Sequence, residues 1–246
     1  MTPATPAAPR KGQLEIIAHR GTPRDHPENS LPGFRHALDS GADGIELDVH
    51  LTVDGVLVVH HDPTLQPLEG ATDAAHPAIR DLTHAAVRGH ILAPGVSIPT
   101  LAEVLDLVGT RAVVYIEVKA HGAEAAVVRC IRESAASCAV HGFDHRVALR
   151  AGLLDPGLPT GILLDSYLID PAAALGDARA RDYWQRWEMI DADLVARIHA
   201  VRGRVIAWTV NEPSVARRLH LLGVDAVCTD VCGDMRSALR GESRRS

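Results

Sequence analysis

Glu46 and Asp48 stand two residues apart, and so do Glu117 and Lys119. Positions i and i+2 of a strand share a face, so if these segments are strands each pair points to one side. Three carboxylates converging without partners would repel one another strongly in a low-dielectric pocket. A divalent cation relieves that repulsion, and an all-oxygen donor set favours Mg²⁺ or Ca²⁺ over zinc. Taken singly, each acid is also explained by a structural salt bridge to an arginine. Taken together at strand ends, Glu46, Asp48 and Glu117 read as a metal site. His19 ends an apolar run, in His19-Arg20-Gly21, and His61 ends another, in His60-His61-Asp62. Imidazoles titrate near neutrality, so two of them beside a metal suit general acid–base work.

The chain holds 14 histidines, and a lone one carries little weight. His60 alternates to the face opposite His61. We read it, and the remaining histidines including His50 and His141, as surface or packing residues. Of the 25 basic residues only Lys11 and Lys119 are lysines, so Lys119 stands out as a compact point charge in an arginine-rich chain. With Arg20 it could hold a phosphate beside the metal. No G-x-x-x-x-G-K-[ST], G-x-G-x-x-G or G-x-S-x-G occurs, which removes a nucleotide-phosphate loop and a serine-hydrolase elbow.

The elements that must position these residues are short apolar strands alternating with amphipathic helices. Candidate strands cover 14–18, 44–50, 56–60, 112–118, 138–143, 160–164, 187–190, 205–209 and 226–229, most of them continuous apolar runs of the kind buried on both faces. Ser30 caps a helix ended by Gly41, and Thr100 with Glu103 forms a capping box. Further helices follow from the stripe Leu194, Val195, Ile198, Val201 and from Pro213 with Val215, Leu219 and Leu222. This alternation predicts an α/β fold, a TIM (β/α)₈ barrel, in which polar residues at the C-terminal strand ends line the site. Nine strands are one too many. Only a few residues around Asp54-Gly55 separate His50 from Val56, too few for a parallel crossover. The surplus strand is therefore the return leg of a hairpin after strand two, which brings His61 back toward Glu46 and Asp48. One domain over 14–240 is expected, between a flexible N-terminal tail at 1–13 and a flexible end at 241–246.

Across 246 residues, 25 Lys plus Arg against 31 Asp plus Glu give a net charge of −6 with no basic stripe. That argues against nucleic-acid binding. No apolar run is long enough for a membrane span, and the N-terminus lacks a secretory apolar core, so a cytoplasmic enzyme with free thiols is expected.

The motifs His19-Arg20-Gly21, Pro27-Glu28-Asn29-Ser30, Glu46-Leu47-Asp48-Val49, Val58-Val59-His60-His61-Asp62, Ile116-Glu117-Val118-Lys119, Trp208-Thr209-Val210-Asn211 and Thr229-Asp230, in this order, resemble the glycerophosphodiester phosphodiesterase family. They run over nearly the whole chain. The resemblance implies a barrel hydrolase that splits a glycerophosphodiester into sn-glycerol 3-phosphate and an alcohol. Glu46, Asp48 and Glu117 would bind one divalent cation, and His19 and His61 would be the acid–base pair. Arg20 and Lys119 would contact the phosphate. The substrate's own 2-hydroxyl can attack phosphorus, consistent with the missing serine motif. His19 is assigned as base and His61 as acid, an order the sequence does not fix.

Glu28 and Asn29 would hold the first loop and reach metal or phosphate. Trp208 would wall the glycerol or pack the barrel. The chain departs from the family in Gly142-Phe143-Asp144, where a serine is lost, and in a short loop from Pro63 to about Gly95 in place of a longer cap. A more open mouth and weak selection of the alcohol are expected. A monomer or homodimer acting on a small molecule is expected. Two alternatives are a phospholipase-type lyase of the same superfamily stopping at a cyclic phosphate, and a non-catalytic barrel that binds phosphate esters.

Overall fold

The computed structural model describes residues 13–66 and 76–242. The expected tail at 1–13 falls outside them save for Gln13, as does the end from 243 onward; the last helix continues to Glu242.

Eight parallel strands close into a barrel: β1 (Glu15–His19), β2 (Gly44–Leu51), β6 (Val113–Val118), β7 (Ser137–Gly142), β8 (Thr160–Leu164), β9 (Asp182–Arg186), β10 (Arg204–Trp208) and β11 (Ala226–Thr229). Pairing of β1 with both β11 and β2 shuts the ring. The expected hairpin is present, with β3 (Leu57–Val59) antiparallel to β2 and Val49 opposite Val59. Around the barrel lie α1 (Leu31–Asp39), α3 (Leu101–Val108), α4 (Glu124–Arg132), α5 (His145–Leu154), α6 (Pro171–Asp177), α7 (Ala192–Ala200), α8 (Pro213–Leu221) and α9 (Cys232–Glu242). Helix starts obey their caps. Gly33 N donates to Ser30 Oγ, and Thr100 and Glu103 exchange bonds as a capping box.

Two expectations need correction. The strand placed at 187–190 is a one-turn 3₁₀ segment, Trp187–Met189, and β9 lies just before it. Its Asp182-Tyr183-Trp184-Gln185 run mixes acids and amides with aromatics, so it does not read as apolar, although all four are buried. The stretch from Pro63 to Gly95 is more than a short loop, apart from 67–75, which fall outside the described residues. It carries a 3₁₀ turn (Ile79–Asp81), α2 (His84–Arg88) and a small hairpin of β4 (Ile91–Ala93) with β5 (Val96–Ser97). Its Leu65, Ile79 and Val87 pack with Val58 and Ile98 into a satellite core that fixes the return leg carrying His61.

The main core fills the space between barrel and helices, as helix stripes against a sheet require. A second core fills the barrel itself with Ile17, Tyr115, Ala139, Leu163, Trp184, Ile206, Ala226 and Cys228. Below it, at the strand starts, sits a buried charged floor. Tyr115 Oη donates to Glu15 Oε1 at 2.6 Å, and Arg204 pairs with Glu15 and, at 3.5 Å, with Asp182. Arg181 grips Asp182 through both oxygens, at 2.8 and 2.7 Å. Among the described residues no helix is long and apolar enough to cross a membrane. Cys130, Cys138, Cys228 and Cys232 are free thiols, as expected.

Candidate active site

The barrel register determines which side chains share the mouth. His19 pairs with Glu46 across β1–β2, Asp48 with Glu117 across β2–β6, and Glu117 with His141 across β6–β7. A pocket of about 250 Å³ opens there, walled by His19, Arg20, Glu46, His61, Glu117 and Lys119 on one side. Phe143, Leu163, Trp184 and Trp208 form its apolar side.

Both histidines are oriented alike. His19 Nδ1 lies 2.6 Å from Asp230 Oδ1, and Asn211 Nδ2 holds the other oxygen of Asp230 at 2.7 Å. His61 Nδ1 lies 2.8 Å from Asp62 Oδ1. In each case Nδ1 is engaged and Nε2 is left for chemistry, the arrangement that fixes a ring's tautomer. His19 Nε2 is 4.0 Å from Glu46 Oε2. Burial alone would raise the Asp230 carboxyl, but the bonds from His19 and Asn211 outweigh it and hold it low. Asp62 is held low chiefly by its bond from His61. Sequence reasoning quoted Asp230 and Asn211 only as motif residues and assigned them no task. The signal available was their position directly after β10 and β11, at the same rim as His19.

Asp48 is fully buried: Asn29 Nδ2 donates to it at 2.9 Å, and Arg20 Nε and Lys119 Nζ pair with it as charges at 3.2 Å each, while its Oδ1 has no hydrogen bond among the described residues. Burial would raise its pKa, but Lys119, Arg20 and the Asn29 bond lower it below the usual carboxylate range. Glu46 accepts one bond, from the Arg20 backbone N–H at 3.2 Å, and has no cationic side chain paired with it among the described residues. Burial first, then the neighbouring Asp48 and Glu117, push its carboxyl well above the usual range. Glu117 is pushed up to about 7 by burial and Asp48, against the pull of Lys119 at 2.8 Å. Arg20 and Lys119 would each lose their protons more easily through burial, yet the surrounding acids more than compensate and raise both. Negative charge is therefore in excess around Glu46 and Glu117, and a cation fits that imbalance.

One donor atom each of Glu46, Glu117 and His141 lie within 4.8 Å of one another. His141 corrects the sequence reading in part. It does pack, its ring stacked on Trp184 at 4.3 Å and 7°, but it also lines the pocket. Burial lowers its pKa to about 3. His50 is structural, bonded through Nε2 to the carbonyl of His61 at 3.0 Å.

The first loop is built by backbone as much as by side chains. Arg20 and Asn29 both take left-handed φ, 51° and 55°, and Asn29 N donates to the Arg20 carbonyl at 2.9 Å. Such φ values in non-glycine residues persist where the surroundings enforce them, typically at functional sites. Exposed Glu28 does not reach into the pocket; it holds Arg20 Nη1 at 3.1 Å. Asn29, also outside the pocket wall, braces Asp48. Trp208 meets Phe143 edge-on at 5.8 Å, and Phe143 is 48% exposed, which makes an apolar lip to the mouth.

Residues 19–234 match the glycerophosphoryl diester phosphodiesterase family. A glycerophosphodiester phosphodiesterase of Caldanaerobacter subterraneus subsp. tengcongensis is 33% identical over 87% of this chain and 93% of its own. One from Bacillus altitudinis is 32% identical over 88% and 94%. The crystal structure of a putative glycerophosphoryl diester phosphodiesterase from Silicibacter pomeroyi superposes with a TM-score of 0.84 at 26% identity, covering 93% of this chain and 94% of that one. An Oleispira antarctica phosphodiesterase in complex with the product sn-glycerol-3-phosphate gives 0.83 at 25% identity, covering 92% and 96%.

Proposed function

The chain belongs to the glycerophosphoryl diester phosphodiesterase family, and from that premise we propose that it hydrolyses a glycerophosphodiester to sn-glycerol 3-phosphate and an alcohol by two-histidine acid–base catalysis with a bound divalent cation. The observation that carries this reading is the convergence of His19, His61, Arg20, Lys119, Glu46 and Glu117 on one pocket. Arg20 and Lys119 hold the non-bridging phosphoryl oxygens. His19 Nε2 accepts the proton of the substrate's 2-hydroxyl as that oxygen bonds to phosphorus. The bond from phosphorus to the alcohol oxygen breaks, and His61 donates a proton to the departing oxygen. The cyclic phosphate so formed is then opened. Water adds to phosphorus, the bond to the 2-oxygen breaks, and the two histidines exchange roles. His19 is assigned as base and His61 as acid; each is backed by a carboxylate, Asp230 and Asp62. Phe143 and Trp208 receive the organic side of the substrate.

Glu46 and Glu117, with Asp48 beside them, would hold the cation; the two raised carboxyls and the excess of negative charge fit one. When bound it supplies Lewis-acid stabilisation of charge on the phosphoryl oxygens. The carboxylates alone admit Mg²⁺ or Ca²⁺.

The test is release of glycerol 3-phosphate from glycerophosphocholine by chelator-stripped protein, with and without added cation. Cation-restored release, lost in His19→Ala and His61→Ala, is the expected result. A cyclic phosphate as sole product would replace this reading with a lyase, and no turnover of any glycerophosphodiester would overturn it.

A further inference from the structure

His141 is 2% exposed and lines the pocket. Its Nδ1 is orphaned among the described residues, and the acid oxygen facing Nε2, Glu46 Oε1, lies 3.9 Å away. That is too far for an N–H···O bond. Two metal–ligand bonds of about 2.0–2.2 Å bridge that gap at a wide ligand–metal–ligand angle. Leaving a buried imidazole unanswered costs free energy, so the position demands a reason. Packing alone would be served by a carbocyclic ring against Trp184. The stacked geometry instead holds the imidazole in the plane that directs Nε2 at Glu46, while strand register places Glu117 alongside on β6. Asp48 is paired with Arg20 and Lys119 and bonded by Asn29, but its buried Oδ1 has no hydrogen bond among the described residues and stays available as a third acid.

We infer that His141 Nε2 is a ligand of the cation held by Glu46 and Glu117, giving a mixed nitrogen–oxygen site that selects a borderline cation such as Mn²⁺, Co²⁺ or Zn²⁺ over Mg²⁺ or Ca²⁺. This rests on the cation reading above. Imidazole adds little affinity for hard alkaline-earth ions and much for first-row transition ions, so one nitrogen ligand shifts selectivity more than it shifts overall binding.

The experiment is direct ion binding by the chelator-stripped full chain, using calorimetric titration with Mn²⁺ and with Mg²⁺. In His141→Gln the preference for Mn²⁺ over Mg²⁺ falls by about tenfold or more, with Mg²⁺ affinity within about threefold of wild type. An unchanged preference in a folded His141→Gln protein overturns the inference. A second readout needs no variant. Pulsed electron paramagnetic resonance of Mn²⁺ in the wild-type protein shows coupling from a directly bound nitrogen if His141 ligates, and its absence overturns the proposal. Glu117→Gln separates the two levels. Loss of both ions there upholds the cation site whatever His141 does, whereas wild-type binding of both ions removes the site itself, and the inference with it.

Discussion

Each residue at the mouth is tuned by what lies behind it. In the proposed mechanism His19 works through Asp230, itself braced by Asn211, so the carboxylate would act on the ring's orientation and basicity rather than on substrate. Asp230→Asn is expected to lower kcat by about 10²-fold with little change in KM, and to move the acidic limb of the pH–rate profile. Steady-state kinetics against pH check both. Glu117 gives a second prediction. With its pKa raised to about 7 in the cation-free protein, proton and cation compete for the same carboxylate. Cation affinity is therefore expected to rise as pH increases through 7 and to fall below it, and titrations at pH 6 and pH 8 measure the difference. Glu117→Gln removes that dependence along with the site. That Glu46, Asp48 and Glu117 share one rim was legible in the sequence because i, i+2 spacing in an apolar run is a geometric statement, and His19 and His61 joined them because each ends such a run. The role of His141 was not, because a histidine in an apolar strand looks the same whether it packs or ligates. Only the register opposite Glu117 and the approach of Nε2 to Glu46 separate those cases.

At the scale of elements, strands bring the ligands and loops aim the cations. Gly21, at φ 88°, lets the chain turn from β1 back over α1; a Cβ there would lie 2.9 Å from the carbonyl carbon of Gly33. Gly21→Ala is expected to destabilise the fold by about 1–3 kcal/mol and to raise KM, since the strained Arg20 next to it loses its placement. A thermal melt and a KM measurement test the two effects. The hairpin was deducible because so few residues separate His50 from Val56 that parallel pairing is impossible. β9 was misplaced because burial there is bought with ion pairs and amides: Asp182 is answered by Arg181 and Arg204, so its polarity conceals a core strand. The satellite core under the return leg was equally hidden, since Leu65, Ile79, Val87 and Ile98 meet only after the hairpin has formed.

Across the whole molecule, chemistry and stability occupy opposite ends of one barrel. The floor of Glu15, Tyr115, Asp182 and Arg204 lies far down the strands from His19 and Glu46. Glu15→Ala leaves partly buried Arg204 with Asp182 alone, and is expected to cost about 1–3 kcal/mol in denaturant unfolding while kcat stays near wild type. A large loss of kcat in protein that remains folded would show that the two ends are coupled. The barrel itself was readable from the alternation of strands and helices, because parallel strands covered on both faces leave apolar runs in the chain. That same floor also decides traffic. A barrel sealed below by salt bridges and filled midway by Trp184 and Ile206 is a cup rather than a tunnel, so substrate, water and both products share one doorway. In the proposed reaction the alcohol would leave toward the lip of Phe143 and Trp208 and clear the opening before water reached phosphorus, with glycerol phosphate departing last.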